Sequence, residues 1–141
     1  MLLKLKKYVT NLGGILNTDY INIVEQFDYL LNSHNISKED SLNLSEYELL
    51  TCEAKIIEVN ELVREGEHGW SEDHKIWPND LLVIGDDNCG GYYYINIKKS
   101  NPTVGYYEHE IGEFQPLDKS PKEFLYYMAN GYTEEPKKNY W

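Results

Sequence analysis

The hydrophobic period of this chain changes near residue 77, and that change constrains its fold more than any other feature. Before it, apolar residues recur every three or four positions, as one face of a helix requires. Leu2, Leu5, Val9 and Leu12 form the first stripe, which Gly13-Gly14 ends. Thr18 is the expected N-cap of a second helix, with Asp19 in its first turn and Tyr20, Val24, Phe27 and Leu31 on its apolar face. Asn32-Ser33-His34-Asn35 reads as a loop, and the mostly polar Ser37 to Ser45 is assigned no element. Tyr47-Glu48-Leu49-Leu50 reads as a short strand, and Thr51 as the N-cap of a helix over 52–65. Cys52, Ile56, Val59 and Val63 give that helix its buried face, and Gly66 stops it.

After residue 77 the period is two. Leu81-Leu82-Val83-Ile84 is an apolar run suited to a central strand, and Asp86-Asp87-Asn88-Cys89-Gly90-Gly91 is a turn by composition. From Tyr92 to Lys98 the chain alternates: Tyr93, Ile95 and Ile97 point one way, and Tyr92, Tyr94, Asn96 and Lys98 the other. A turn at Ser100-Asn101-Pro102-Thr103 leads into Val104 to His109, and Phe114 to Leu117 adds a short fourth strand. Ser120-Pro121-Lys122-Glu123 then carries three helix-start signals: an N-cap serine, a proline at the first helical position and a glutamate three residues after the cap. Phe124, Tyr127 and Met128 form the buried face of that helix, and Asn130-Gly131 ends it.

Helices, then a meander, then a helix predict an α+β fold. We expect a mostly antiparallel twisted sheet, with strands near 81–85, 92–98 and 103–109, flanked by N-terminal helices and a closing helix near 121–130. A chain of 141 residues fits a single domain over 1–141, with a frayed tail at 132–141.

Charge narrows the partners. With 24 acidic and 13 basic residues the formal net charge is −11. Such a field repels a phosphate backbone and an anionic membrane surface, so neither direct nucleic-acid nor membrane binding is expected. It draws in a basic protein partner, mainly through the association rate. The 13 Tyr, 3 Trp and 3 Phe suit either a Tyr-rich sheet or a protein interface. Cys52 and Cys89 form no Cys-x-x-Cys pair, and lysines interrupt the start Met1-Leu2-Leu3-Lys4-Leu5-Lys6-Lys7-Tyr8 too closely for a signal peptide. The cytoplasm is the expected compartment.

No pattern points to catalysis. In Asp86-Asp87-Asn88-Cys89-Gly90-Gly91 an EF-hand register fails, because Gly90 has no side chain for the third ligand and Ile97 stands at the twelfth position. His68, His74 and His109, with Glu67, Asp73, Glu108 and Glu110, lack a metal-ligand spacing. There is no Gly-x-Ser-x-Gly and no phosphate-binding glycine loop, and Cys52 on an apolar stripe reads as a small core residue. We therefore expect no catalytic residue, metal or cofactor. The candidate partner surface is made of Tyr92, Tyr94 and Tyr106 with the carboxylates Asp86, Asp87, Glu108 and Glu110. Aromatics supply buried anchors, and carboxylates steer a basic partner. Alternation equally allows the tyrosines to pack under a helix.

Three blocks carry a family resemblance. Ile84-Gly85-Asp86-Asp87-Asn88-Cys89-Gly90-Gly91-Tyr92-Tyr93-Tyr94-Ile95 follows a pattern of apolar strand, acidic turn, glycine and aromatic strand. Val104-Gly105-Tyr106-Tyr107-Glu108-His109-Glu110 is a short strand ending in polar residues, and Ser120-Pro121-Lys122-Glu123-Phe124-Leu125 is a Ser-led closing helix. Upstream, Leu49-Leu50-Thr51 with Glu58-Val59-Asn60-Glu61 fits a strand-to-helix junction. In these blocks, best over 77–130, the chain resembles the SUKH superfamily. Pro121 replaces the aromatic usual after the closing serine, and Asn96 an aspartate frequent in the family. The resemblance implies helices packed on a mostly antiparallel sheet, no catalytic residues and no cofactor. It implies an immunity protein that neutralises a cognate toxin, often a nuclease, of a polymorphic or contact-dependent toxin system. The alternative it leaves is a regulatory or scaffold protein, like the fungal relatives, that binds host factors.

Overall fold

The computed structural model describes residues 2–26, 49–65, 77–87 and 89–129. Among the described residues, four helices and four strands follow in the order α1 (Leu3–Asn11), α2 (Thr18–Glu25), α3 (Glu53–Arg64), β1 (Leu81–Asp86), β2 (Tyr92–Asn96), β3 (Val104–Glu108), β4 (Glu113–Lys119) and α4 (Pro121–Ala129). The strands form one antiparallel sheet in the order β1-β2-β3-β4, so the α+β expectation holds. Phe27, Leu31, Tyr47 and Glu48, and the side chain of Met128, lie outside the described residues.

Local chemistry explains most helix ends. α1 stops in a Schellman arrangement: Gly13, at φ 86°, donates its N–H to Thr10 C=O at 2.9 Å, and Gly14 donates to Val9 C=O at 3.1 Å. Its start has no side-chain cap of its own, and the Glu53 carboxylate of α3 accepts the Leu5 N–H at 3.0 Å instead. Asn17, not Thr18, caps α2, because the Asn17 Oδ1 accepts the Tyr20 N–H at 3.0 Å. α3 begins one residue later than expected, so Thr51 stands outside it and Cys52 is the N-cap. Cys52 is therefore exposed and not a core residue. At α4 the capping box is reciprocal: Ser120 N–H donates to Glu123 Oε1 at 3.0 Å, and Glu123 N–H to Ser120 Oγ at 3.2 Å. The Ser120 backbone N–H, helped by the Ser120 side chain, holds the Glu123 carboxyl below its ordinary range.

Both faces of the sheet are covered. On one, Leu82, Ile84, Ile95, Ile97 and Val104 pack with Leu5, Val9, Tyr20, Ile23, Val24, Ile56, Phe124 and Leu125 of the helices. On the other, Val83, Tyr94 and Tyr107 pack with Trp77 and with Val59 and Val63 of α3. Since Ile56 joins the first cluster and Val59 and Val63 the second, α3 straddles the β1 edge of the sheet.

That edge is closed by side chains. Asn60, completely buried, donates Nδ2–H to Val83 C=O at 2.9 Å and accepts Val83 N–H on Oδ1 at 2.8 Å, as a neighbouring strand would. Leu81 C=O accepts both Trp77 Nε1–H and Arg64 Nη2–H at 2.7 Å. Leu49 forms an antiparallel bridge with Gly85, and Leu50 N–H donates to Ile84 C=O at 3.0 Å, so the described part of the expected upstream strand lies against β1.

Tyr20 is an exception to this polar satisfaction. Its ring is 1 % exposed, and its hydroxyl has no hydrogen-bond partner among the described residues. Burial raises the hydroxyl's pKa well above the ordinary tyrosine value. An orphaned buried hydroxyl costs about 1 kcal/mol or more, so Tyr20→Phe is expected to stabilise the fold by about 1 kcal/mol at neutral pH. A pKa raised on folding gives stability that is whole below the unfolded value, about 10, and is lost as pH rises above it. The gap between Tyr20→Phe and the native chain in urea unfolding should therefore widen between pH 9 and 11.

Candidate protein-binding site

Antiparallel pairing brings the β1–β2 and β3–β4 turns to one end of the sheet. Asp86, Asp87, Glu108 and Glu110 all fall there, joined by Glu113, which pairs with Glu108 across β3 and β4. Residues 81–97 and 100–118 contain no Lys or Arg, so the meander supplies no cation of its own to this end. Lys98 and Lys99 sit in the β2–β3 turn, at the other end. The four carboxylates expected from sequence thus converge, and Glu113 is the member that sequence reading missed.

Asp87 organises the β1–β2 turn. One carboxylate oxygen accepts the N–H groups of Cys89 at 2.8 Å and Gly91 at 2.9 Å. The other accepts the Tyr106 hydroxyl, tying the turn to β3. A Cβ on Gly91 would run into that hydroxyl and the Asp87 carboxylate, so only glycine fits. Burial, with the hydrogen bond to Asp87 and its charge, raises the Tyr106 pKa well above the tyrosine range and keeps the hydroxyl a donor. The second turn leans on the first: His109 lies against Gly90, which has φ 92°. Gly112, at φ 66°, closes it by donating N–H to Glu108 C=O at 2.8 Å. Ile111, between Glu110 and Glu113 in sequence, stands 58 % exposed in this turn.

The tyrosines do not share one surface. The register pairs Tyr92 with Tyr107 and Tyr93 with Tyr106, so Tyr92 and Tyr106 stand on opposite faces of the sheet. Tyr106 lies 5.0 Å from the Tyr93 ring, on the α4 side. Tyr92 is half-buried, edge-on to Trp77 at 5.8 Å, with its hydroxyl pKa raised by burial and by the charges of Asp86 and Asp87. Tyr94 is core: it is 8 % exposed, packs on Trp77 and lies across Gly105, where a Cβ would strike its ring. The surface available at this end is therefore an acidic rim with Tyr92 on one flank and Tyr106 on the other.

Among the described residues, no three His, Cys, Asp or Glu side chains are placed to hold a metal ion, and no helix is long and apolar enough to cross a membrane. His68, His74, Glu67 and Asp73, weighed from sequence as ligands, lie outside the described residues. Glu108, His109 and Glu110 are adjacent in the second turn, but among the described residues they form no group placed to hold a metal.

Residues 4–125 match a family model, SUKH_6, described as SMI1-KNR4 cell-wall. The match extends the resemblance upstream of residue 77, through α1, α2 and α3. No curated protein and no solved structure matches the chain.

Proposed function

Because the chain belongs to the SMI1-KNR4 cell-wall family of the SUKH superfamily, we propose that it is a non-enzymatic protein-binding domain that serves as an immunity protein. Its target is the catalytic domain of a cognate toxin, a basic nuclease. The observation that carries this reading is the convergence of Asp86, Asp87, Glu108, Glu110 and Glu113 at a sheet end to which residues 81–97 and 100–118 bring no Lys or Arg. A nuclease groove is cationic because it holds phosphates. A rigid acidic edge can occupy that groove in place of the nucleic acid, and long-range attraction speeds the encounter. Half-buried Tyr92 and Tyr106 then supply apolar contact at the flanks of the rim, which slows release.

The test is to identify a toxin gene beside this one, which the immunity reading requires, and to co-express the two. Survival and a recoverable complex are expected. Cell death despite abundant folded protein, with no complex in a pull-down, would sink the immunity reading. In the purified complex, Glu108→Lys with Glu110→Lys should slow association about tenfold or more at low salt, flatten its salt dependence and leave dissociation little changed. Unaltered association would move the interface elsewhere.

The family description, which names the cell wall, carries a second reading: a regulatory or scaffold protein that binds host factors through the same rim. Gene neighbourhood separates the two. An immunity gene lies beside a large toxin gene, and a scaffold gene need not.

A further inference from the structure

At the sheet end opposite the acidic rim, the α1–α2 linker folds against the β2–β3 turn. Ile15 N–H donates to Ile97 C=O at 2.8 Å, and Asn17 Nδ2–H to Ser100 C=O at 3.4 Å. Gly14 has no room for a side chain, since a Cβ there would enter Ile97. Between linker and turn lies a cleft of about 430 Å³, a size that suits a small ligand or a peptide end.

Its lining combines three features. Ile15 is 80 % exposed on it, more than Leu3, Leu62 or Ile111 elsewhere on the surface. Lys98 and Lys99 both line it, a local pair of cations in a chain of net charge −11. Thr18 begins α2 at its edge, and the N–H groups of Thr18 and Asp19 have no carbonyl behind them in the helix. Asn17 already serves the next two N–H groups, those of Tyr20 and Ile21. Asp80 approaches Lys98 at 3.9 Å, but both side chains are about half exposed, and such a contact is too weak to neutralise the lysine. Lys99 shares no such pair there among the described residues.

We propose that this cleft is a second binding site, for the C-terminal carboxylate of a peptide ending in an apolar residue. The apolar side chain would rest on Ile15, and the carboxylate between Lys98, Lys99 and the first turn of α2. An exposed apolar side chain next to paired cations matches a ligand that joins one apolar group to one negative charge. Asp19, in the same first turn, disfavours a doubly charged phosphate. The site is remote from the acidic rim, so a toxin or host factor can engage both without competition.

Two-dimensional amide NMR of the full chain, titrated with N-acetyl-Gly-Leu as the free acid and as its C-terminal amide, tests this. The acid should give saturable shifts at Gly13, Gly14, Thr18 and residues 98–100, and the amide should bind about tenfold more weakly. Lys98→Ala with Lys99→Ala should weaken the acid by a similar factor of about ten while leaving Tm unchanged. Absence of saturable shifts at these residues, or equal binding of acid and amide, overturns the proposal. Hexanoate binding as tightly as the dipeptide acid overturns the peptide assignment.

Discussion

Asn60→Leu is expected to lower the unfolding free energy by about 2–6 kcal/mol, although leucine has the same branched arrangement of heavy atoms as asparagine and suits a buried helix face. The buried Asn60 amide accepts Val83 N–H and Arg64 Nη1–H on Oδ1, at 2.8 and 2.9 Å, and donates Nδ2–H to Val83 and Ile56 C=O, at 2.9 and 2.8 Å. All of its hydrogen-bonding capacity is used. Leucine would leave the Val83 N–H and C=O facing an apolar side chain, and each orphaned backbone group costs about 1–3 kcal/mol. Ile56 C=O keeps its place in the α3 ladder, and Arg64 keeps Leu81 C=O at 2.7 Å, so the loss centres on Val83. Urea unfolding of the two proteins measures it. A difference below about 1 kcal/mol would mean that water reaches Val83 and that the amide is not the strand substitute described above.

This residue also shows where sequence reading stops. The stripe of α3 is visible as a period, and Asn60 stands four after Ile56 and three before Val63, inside the buried arc. A polar residue in that arc is the signal that could have found it, since a buried amide implies a partner. What period cannot give is the partner, because Val83 is 23 residues away and becomes adjacent only when α3 lies along β1. Cys52 shows the converse error. Its spacing continues the stripe, but it stands before the first helical residue, where period no longer governs direction.

The sheet was legible to a similar depth. Alternation separates Tyr93, Ile95 and Ile97 from Tyr92 and Tyr94, and the two clusters keep that separation. Alternation does not say how far each face is covered. Here one face carries several helices and the other carries Trp77 with Val59 and Val63 of α3, so Tyr94 is taken into a core while Tyr92, at the end of the strand, keeps a half-exposed edge. The acidic rim follows from topology: turns at 86–91 and 109–112 share one end only because β1 to β4 pair in sequence order. Caps were the most local features and the most readable, as at Ser120 and Glu123. They failed by one residue at Asn17 and Cys52, where the geometry of the linker decides which side chain reaches the first turn.

Trp77→Ala should cost about 3–5 kcal/mol, a large part of the stability of an ordinary domain. Trp77 is completely buried, and four rings stand edge-on around it: Phe114 at 5.3 Å, Tyr92 and Tyr107 at 5.8 Å and Tyr94 at 6.1 Å. Edge-to-face contacts of this kind add to the area buried, and alanine would forfeit them and leave a cavity under β2 and β3. The indole hydrogen bond is the smaller part, because Leu81 C=O retains the Arg64 Nη2–H when Nε1 is removed. Trp77→Phe should therefore cost no more than about 1–2 kcal/mol, chiefly through lost volume. Urea unfolding gives both values, and near-UV circular dichroism should show the tyrosine bands of the alanine variant collapsing while the far-UV signal persists. The loss should reach the proposed interface as well, since the Tyr92 ring at the rim rests on Trp77. A folded Trp77→Ala protein should release its partner faster without a change in association, the opposite split from the Glu108 and Glu110 charge reversal. If the alanine variant keeps native stability and native dissociation, Trp77 neither supports the second core nor positions Tyr92.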